Sequence, residues 1–160
     1  MQQFEQIYAQ HLDAVRAYVR RRAPEDAVDD LVAETFLVCL RRIDRVPDEP
    51  LPWLYAVARK TLANERRRRA RSAPAQREVV WDAEPSGDAV LAAAFAALSD
   101  RDREILRLVA WEGLSLREAA EVLGCSAVAC RVRFHRAKAR LAARLESAAS
   151  FRPEPEGATR

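Results

Sequence analysis

SLREAAEVLGCSAVACRVRFHRAKARL, residues 115–141, is the stretch that decides the fold. Ser115 and Glu118 stand at the spacing of a capping box, which predicts the start of a short helix. Gly124 can end that helix in a left-handed conformation, and Ser126 can cap the helix that follows. A short helix, a glycine turn and a longer basic helix together predict a helix-turn-helix.

The second helix of this pair, expected to end near Ser147, carries two different faces. One face is apolar at helical spacing: Cys130, Phe134, Ala137 and Leu141. The opposite face combines valines with basic side chains: Val128, Arg131, Val132, His135 and Arg136. Arginine can bond guanine edges bidentately and valine can touch a thymine methyl, so this face predicts major-groove reading. An ordinary helical hairpin with a solvated basic face is the alternative.

Three cations lie on the flanks or later turns of the same helix: Arg133, Lys138 and Arg140. Such positions favour phosphate contacts, which fix the register of a protein on DNA without reading sequence.

The first half of the chain is also predicted to be helical. Apolar residues recur at helical spacing over 4–22, and a second helix is expected from Pro24 to about Arg42. Residues 43–51 contain two prolines and predict a loop, after which a third helix is expected over 52–71. With only 4 glycines and abundant alanine, leucine, arginine and glutamate, the chain is predicted to be all-α.

The third helix places an aromatic ring beside polar and basic groups: Trp53, Lys60, Asn64, Arg67 and Arg71. Unstacked bases can stack on aromatic rings while cations hold the backbone, so this face suits single-stranded or melting DNA. A core anchor is the alternative role for Trp53.

Composition changes after the third helix. Residues 72–88 hold one arginine and four acids, a net charge of −3, and predict a flexible acidic linker; a short ordered connection with a helical turn is the alternative. Two helices, over 89–98 and from a Ser99 cap to about Trp111, then precede the helix-turn-helix. The expected organisation is two small helical domains, 1–71 and 89–147, joined by that linker, with a disordered tail over 148–160.

Several other functional classes find no support in the residues. The glycines form no phosphate-binding loop, and no catalytic arrangement is visible, so no enzyme activity is expected. The three cysteines form no CxxC pair, and neither His11 nor His135 has a neighbouring ligand, so no metal or cofactor is expected. No secretory signal is visible, and the longest apolar run, 89–98, is too short to span a bilayer. We therefore expect a cytoplasmic protein without membrane contact.

Charge distribution points to a polyanionic partner. The net charge is only +3, yet residues 59–71 carry seven basic side chains and one acid, and residues 126–145 carry six and no acid. Two separate basic segments indicate two contacts with nucleic acid.

An ordered set of motifs resembles the extracytoplasmic-function (group 4) RNA polymerase sigma factors of the sigma-70 family. DDLVAETF, residues 29–36, resembles their region 2.2, and PWLYAVAR, residues 52–59, resembles the start of region 2.3–2.4. Residues 66–68 resemble the basic end of that helix, residues 98–104 resemble region 4.1, and residues 115–141 resemble region 4.2. The resemblance covers residues 4–146.

The resemblance implies functional roles. Region 2.2 would dock on the coiled coil of the polymerase's largest subunit through Asp30 and Glu34, with Asp29 and Leu31 beside them. The −10 promoter element would be opened and read by Trp53, Lys60, Asn64 and Arg67, and the loop over 44–51, with Asp44 and Asp48, would capture a flipped base. The −35 element would be contacted by Val128, Arg131, Val132, Arg133, His135, Arg136 and Lys138.

Partners follow from the same resemblance. They are core RNA polymerase and promoter DNA, and an anti-sigma factor is compatible with it. The alternative is a helix-turn-helix regulator that uses only residues 95–146. Such a regulator has no use for a docking helix or for a tryptophan-basic melting face.

Overall fold

The computed structural model describes residues 1–72 and 89–150. Within those ranges it contains seven α-helices and no strand, as predicted. The first domain consists of α1 Gln2–Arg20, α2 Glu25–Arg41 and α3 Pro50–Ser72. The second domain consists of α4 Ala89–Ala96, α5 Asp100–Ala110, α6 Leu116–Leu123 and α7 Ala127–Ser150. No helix among the described residues is long and apolar enough to cross a membrane.

In the first domain the three helices pack around one core. Its fully buried members come from all three helices: Val15, Val19, Val28, Cys39, Leu54 and Ala58. Thr35 and Thr61 are also buried, and each hydroxyl donates to a carbonyl of its own helix, at 2.7 Å to Leu31 and 2.8 Å to Ala58. Buried hydroxyls satisfied in this way carry little desolvation cost.

The second domain is organised by helix caps. The Ser99 hydroxyl accepts from the Asp102 amide at the start of α5. Ser115 and Glu118 form the predicted capping box of α6, and Gly124 ends that helix at φ +66° in the left-handed conformation. The Ser126 hydroxyl accepts from the Ala129 amide and so caps α7 as predicted. These local signals hold the helix-turn-helix in place.

Some helix limits differ from the prediction. α3 begins at Pro50 because amides in a first turn have no intrahelical partner, so prolines at 50 and 52 cost no hydrogen bond there. A short 3₁₀ turn, Ile43–Arg45, occupies part of the predicted loop. α7 continues to Ser150, past the predicted end. The predicted linker after Ser72 and the predicted tail after Ser150 lie outside the described residues.

Candidate nucleic-acid interface

The helix α7 separates a buried face from an exposed one, as predicted. Cys130 and Ala137 are fully buried against α6 and α5, with Phe134 and Leu141 packed partly buried beside them. The opposite face is exposed along its length: Val128, Arg131, Val132, His135 and Arg136. Val128 is 74% exposed and Val132 is 42% exposed. Two exposed valines between cations form a surface that DNA can cover, since it offers both apolar and charged contacts.

Arg133 and Lys138 are also exposed on α7, but Arg140 has another role. Its Nη1 lies 2.9 Å from both carboxylate oxygens of Asp102 in the first turn of α5. This ion pair ties the helix-turn-helix to the preceding helix, while the Arg140 side chain remains 58% exposed, so the predicted phosphate contact stays a prediction. The partner lies 38 residues earlier, so no local pattern marks the pair.

The cysteine on the buried face of α7 serves packing. Burial raises the pKa of Cys130, and the neighbouring Cys125 raises it further. A protonated, buried thiol is a poor nucleophile and a poor metal ligand. Among the described residues no group of histidine, cysteine and acidic side chains could hold a metal ion.

The polar face of α3 is exposed where the sequence predicted it. Lys60, Asn64 and Arg67 are all exposed, and the Asn64 Oδ1 accepts from Arg67 Nη2 at 2.6 Å. Trp53 is half-buried and packs against the core of the first domain. Its ring therefore combines an anchoring contact with a partly open surface at the start of the same helix.

The basic end of α3 is partly neutralised by acids. Glu65 pairs with Arg68 and Arg69, each at 2.7 Å, and Arg69 also reaches Asp26 of α2 at 3.3 Å. Hydrogen bonds from Arg69 and Arg68 lower the pKa of Glu65. The count of cations in the sequence thus overstates the charge that this helix end presents.

The two loop acids predicted near the −10 face lie between α2 and α3. Asp44 is exposed within the 3₁₀ turn Ile43–Arg45, and Asp48 is exposed shortly before α3 begins. Both carboxylates are open to a ligand approaching this loop.

The predicted docking acids occupy the outer face of α2. Asp30 and Glu34 are exposed and form no ion pair with any other described residue, whereas Asp29 binds Arg16 of α1 at 2.8 Å. Leu31 is only 3% exposed and lies in the core. The docking contact predicted for Leu31 is corrected, because its side chain is packed in the core of the domain.

A buried ionic cluster between the two domains was not predicted. Arg22 follows α1, is 2% exposed, and reaches Glu104 of α5 at 2.9 Å and Glu112, beyond α5, at 2.5 Å. The Tyr18 hydroxyl donates to Glu104 at 3.1 Å, and its ring lies 3.7 Å below the Arg22 guanidinium. Tyr18 also stacks on Tyr55 at 4.6 Å.

Electrostatics within the cluster reflect that burial. Burial, together with the negative charge of Glu112, raises the pKa of Tyr55 to about 12. Burial and the Glu104 carboxylate both raise the pKa of Tyr18. Both phenols therefore stay protonated at neutral pH. The arginine and its carboxylates are 82 and 90 residues apart, so the sequence held no signal of the contact.

Comparisons with known proteins match both halves of the chain to the same family. The family model Sigma-70 region 2 matches residues 7–72, and the model Sigma-70, region 4 matches residues 89–141. The ECF RNA polymerase sigma factor SigF of Caulobacter vibrioides is 38% identical over 84% of this chain and 80% of its own length. The ECF RNA polymerase sigma factor EcfG of Rhodopseudomonas palustris is 33% identical over 81% of this chain and 78% of its own. The solved structure of CnrH in complex with the cytosolic domain of CnrY is 30% identical, with a TM-score of 0.63 over 90% of this chain and 88% of that one.

Proposed function

We propose that three helices of this chain have separate roles. The chain belongs to the extracytoplasmic-function sigma factors of the sigma-70 family and directs transcription as they do. In this proposal α2 docks on core RNA polymerase, α3 opens and reads the −10 element, and α7 reads the −35 element as duplex DNA.

The observation that carries the proposal is the exposed face of α7. Arg131, His135 and Arg136 lie beside the exposed Val128 and Val132. On the other side of the helix Cys130 and Ala137 are buried, and Arg140 pairs with Asp102 of α5. A rigid helix with that face suits a major groove, since guanine edges, thymine methyls and phosphates are all within the chemistry of these side chains.

The −10 assignment is supported by the exposed face of α3. Lys60, Asn64 and Arg67 supply charge and hydrogen-bonding groups, and the partly open Trp53 supplies a ring on which an unstacked base can lie. The exposed carboxylates of Asp44 and Asp48 add hydrogen-bond acceptors for a base that leaves the stack.

Polymerase docking is assigned to the outer face of α2. Asp30 and Glu34 are exposed one helical turn apart and have no ion-pair partner among the described residues, so their charge is available to a basic surface. Asp29 is already engaged by Arg16 and is expected to contribute less.

The alternative of a helix-turn-helix regulator without sigma activity is not favoured. Region 2 of the sigma-70 family matches residues 7–72, which such a regulator does not need.

Two further features complete the proposal. CnrH was solved in complex with the cytosolic domain of CnrY, which supports a protein partner that covers this chain when it is idle. We also propose a cytoplasmic location, because the proposed partner is core RNA polymerase.

Reconstitution tests the proposal. The purified full chain is added to bacterial core polymerase, and abortive initiation is measured over a promoter library. We expect promoter-specific initiation that depends on the chain and falls at least about tenfold for the double variant Asp30→Arg, Glu34→Arg, a change of roughly 1.4 kcal/mol in binding. The variant Asp13→Arg, which reverses an exposed acid on α1, serves as control. Duplex DNA binding without any binding to core polymerase would overturn the proposal in favour of the regulator.

A further inference from the structure

We propose that the cavity where α3 meets α5 and α7 is a binding site for a small polyphosphate anion of the size of pyrophosphate. Arginine side chains line this cavity, and one of them is buried without a carboxylate partner among the described residues. The site is independent of promoter recognition, because it rests only on the charges around the cavity.

The cavity has a volume of about 340 Å³, which lies at the lower end of the range for small-molecule sites. Three helices contribute the arginines of its lining: Arg59 and Arg66 of α3, Arg101, Arg103 and Arg107 of α5, and Arg133 of α7. The remaining lining consists of two acids and two aliphatic side chains: Asp100, Glu104, Ile105 and Leu123. Positive charge therefore predominates, which suits a ligand with several negative charges.

Arg107 is the buried member of this lining. The residue is only 7% exposed, yet its guanidinium forms no hydrogen bond or ion pair with any other residue that the structure describes. Its guanidinium carbon lies 5.4 Å from the centre of the Phe95 ring, and a ring supplies no carboxylate for the N–H donors. Buried charges in proteins are normally paired, so a buried arginine at a cavity indicates a ligand that supplies the acceptors.

The two carboxylates at the cavity are already engaged by other groups. Asp100 pairs with Arg103. Glu104 binds Arg22 at 2.9 Å and accepts from the Tyr18 hydroxyl at 3.1 Å. Neither acid therefore supplies the partner that Arg107 lacks.

Like charges around one cavity repel each other, and a bound anion would relieve that repulsion. Arg59, Arg101 and Arg133 are exposed and form no ion pair with any described residue. Burial, followed by the positive charge of Arg22, lowers the pKa of Arg107, although an arginine still stays protonated at neutral pH. The guanidinium charges at the cavity thus exceed what the neighbouring carboxylates neutralise.

The chemistry of the lining favours phosphate groups over a nucleobase. A guanidinium presents parallel N–H donors that fit two phosphate oxygens, so several arginines around one cavity suit adjacent phosphates. None of the described side chains that line the cavity is aromatic, so a base would find no ring on which to stack. Pyrophosphate offers more acceptors than a single phosphate and needs no stacking surface.

Isothermal titration calorimetry of the purified full chain with sodium pyrophosphate tests the site. At about 0.15 M salt, charges separated by more than about 8 Å are largely screened, which suppresses weak binding to the exposed surface. We expect a single pyrophosphate to bind each chain, inorganic phosphate to bind more weakly, and adenosine not to bind. ADP should bind no more tightly than pyrophosphate, because the cavity offers its base no ring.

Substitutions of Arg107 give the decisive comparison. Arg107→Met should weaken pyrophosphate binding at least about tenfold, since it removes the buried charge and keeps the length of the side chain. Arg107→Lys keeps the charge but loses the planar fork, so its affinity should lie between those of the wild type and Arg107→Met. Arg117→Gln is the matched control, because it removes one charge from the second domain at a side chain that is 88% exposed and lies outside the cavity.

A second variant covers a loss of folding. Should Arg107→Met lose helicity by circular dichroism, the double variant Arg59→Gln, Arg133→Gln must weaken pyrophosphate binding from exposed positions of the same lining.

Different results overturn different parts of the proposal. Absence of pyrophosphate binding to the wild type, or equal affinity for Arg107→Met and Arg117→Gln, overturns the site. Tighter binding of ADP than of pyrophosphate overturns the choice of ligand. A chain that does not bind pyrophosphate but loses affinity for duplex DNA on Arg107→Met would assign these arginines to the DNA backbone instead. None of these results depends on initiation with core polymerase, so failure of the site and failure of the proposed function are distinguishable.

Discussion

Arg140 of α7 bonds both carboxylate oxygens of Asp102, each at 2.9 Å, across the interface between α7 and the first turn of α5. The Asp102 side chain is 11% exposed and that of Arg140 is 58% exposed. The pair therefore links α7, the helix proposed to read DNA, to α5, and Asp102 also stands at a helix N-terminus where a negative charge is favourable.

Removal of this pair should loosen the second domain. Arg140→Ala is expected to lower the free energy of unfolding by about 1 kcal/mol, since a charge-assisted hydrogen bond is weakened by the solvent exposure of the arginine. A double-mutant cycle with Asp102→Ala, followed by urea denaturation, should show coupling of similar size. Arg136→Ala, on the exposed face, should change stability by no more than about 0.5 kcal/mol. Strictly additive effects of the two pair mutations would refute the coupling.

Gly124 is required for its backbone conformation alone. A Cβ built there meets nothing within 4 Å, but φ is +66°. Gly124→Ala should therefore destabilise the chain by about 1–2 kcal/mol through left-handed strain. Asparagine tolerates that conformation better, so Gly124→Asn should cost less when both are compared by thermal denaturation. Equal losses for the two variants would point to a steric cause.

The capping box of α6 should respond to acid. Hydrogen bonds from the Ser115 side chain and backbone lower the pKa of Glu118 below its ordinary 4.5. Because the pKa of Glu118 is lower in the folded chain than in the unfolded chain, the ionised carboxylate stabilises the fold at pH values above 4.5. This contribution is lost as the pH falls through the pKa of the folded chain. Unfolding experiments between pH 6 and pH 3 should show this loss in the wild type.

Glu118→Gln provides the control for the acid experiment. A glutamine oxygen can still accept from the Ser115 amide but does not titrate. The difference in stability between wild type and Glu118→Gln should therefore narrow as the solution becomes more acidic. A difference that stays constant over this range would show that Glu118 is not the titrating group.

Substitutions of base-reading residues and of phosphate-contacting residues on α7 should have different effects on DNA binding. Arg131→Ala should cost roughly 1–3 kcal/mol on the preferred promoter and relax selection at one base pair. Lys138→Ala should weaken binding evenly across sequences and reduce the salt slope by about 1. Binding titrations over a duplex library at several salt concentrations measure both effects. Equal losses on all promoters for both variants would contradict the division.

Much of the site was predictable because its signals are local. The two faces of α7 follow from helical periodicity, and the Ser115–Glu118 and Ser126 caps join residues within one turn. Exposure of Lys60, Asn64 and Arg67 follows from the same periodicity on α3. Leu31 was grouped with the docking acids because it lies within the same family motif, but its apolar side chain belongs to the core stripe of α2.

The amino-acid sequence by itself determined the helices, their caps, the two domains and the family, since each depends on residues a few positions apart or on motif order. Only the tertiary structure decided which charged side chains are engaged in ion pairs within the chain and which are open to a ligand. Arg140 meets Asp102 across 38 residues, and Arg22 meets Glu104 across 82. The sequence around a charged side chain does not indicate a partner far along the chain, because burial and pairing depend on how the helices pack. The ionic cluster that joins the domains therefore belongs to the fold in three dimensions.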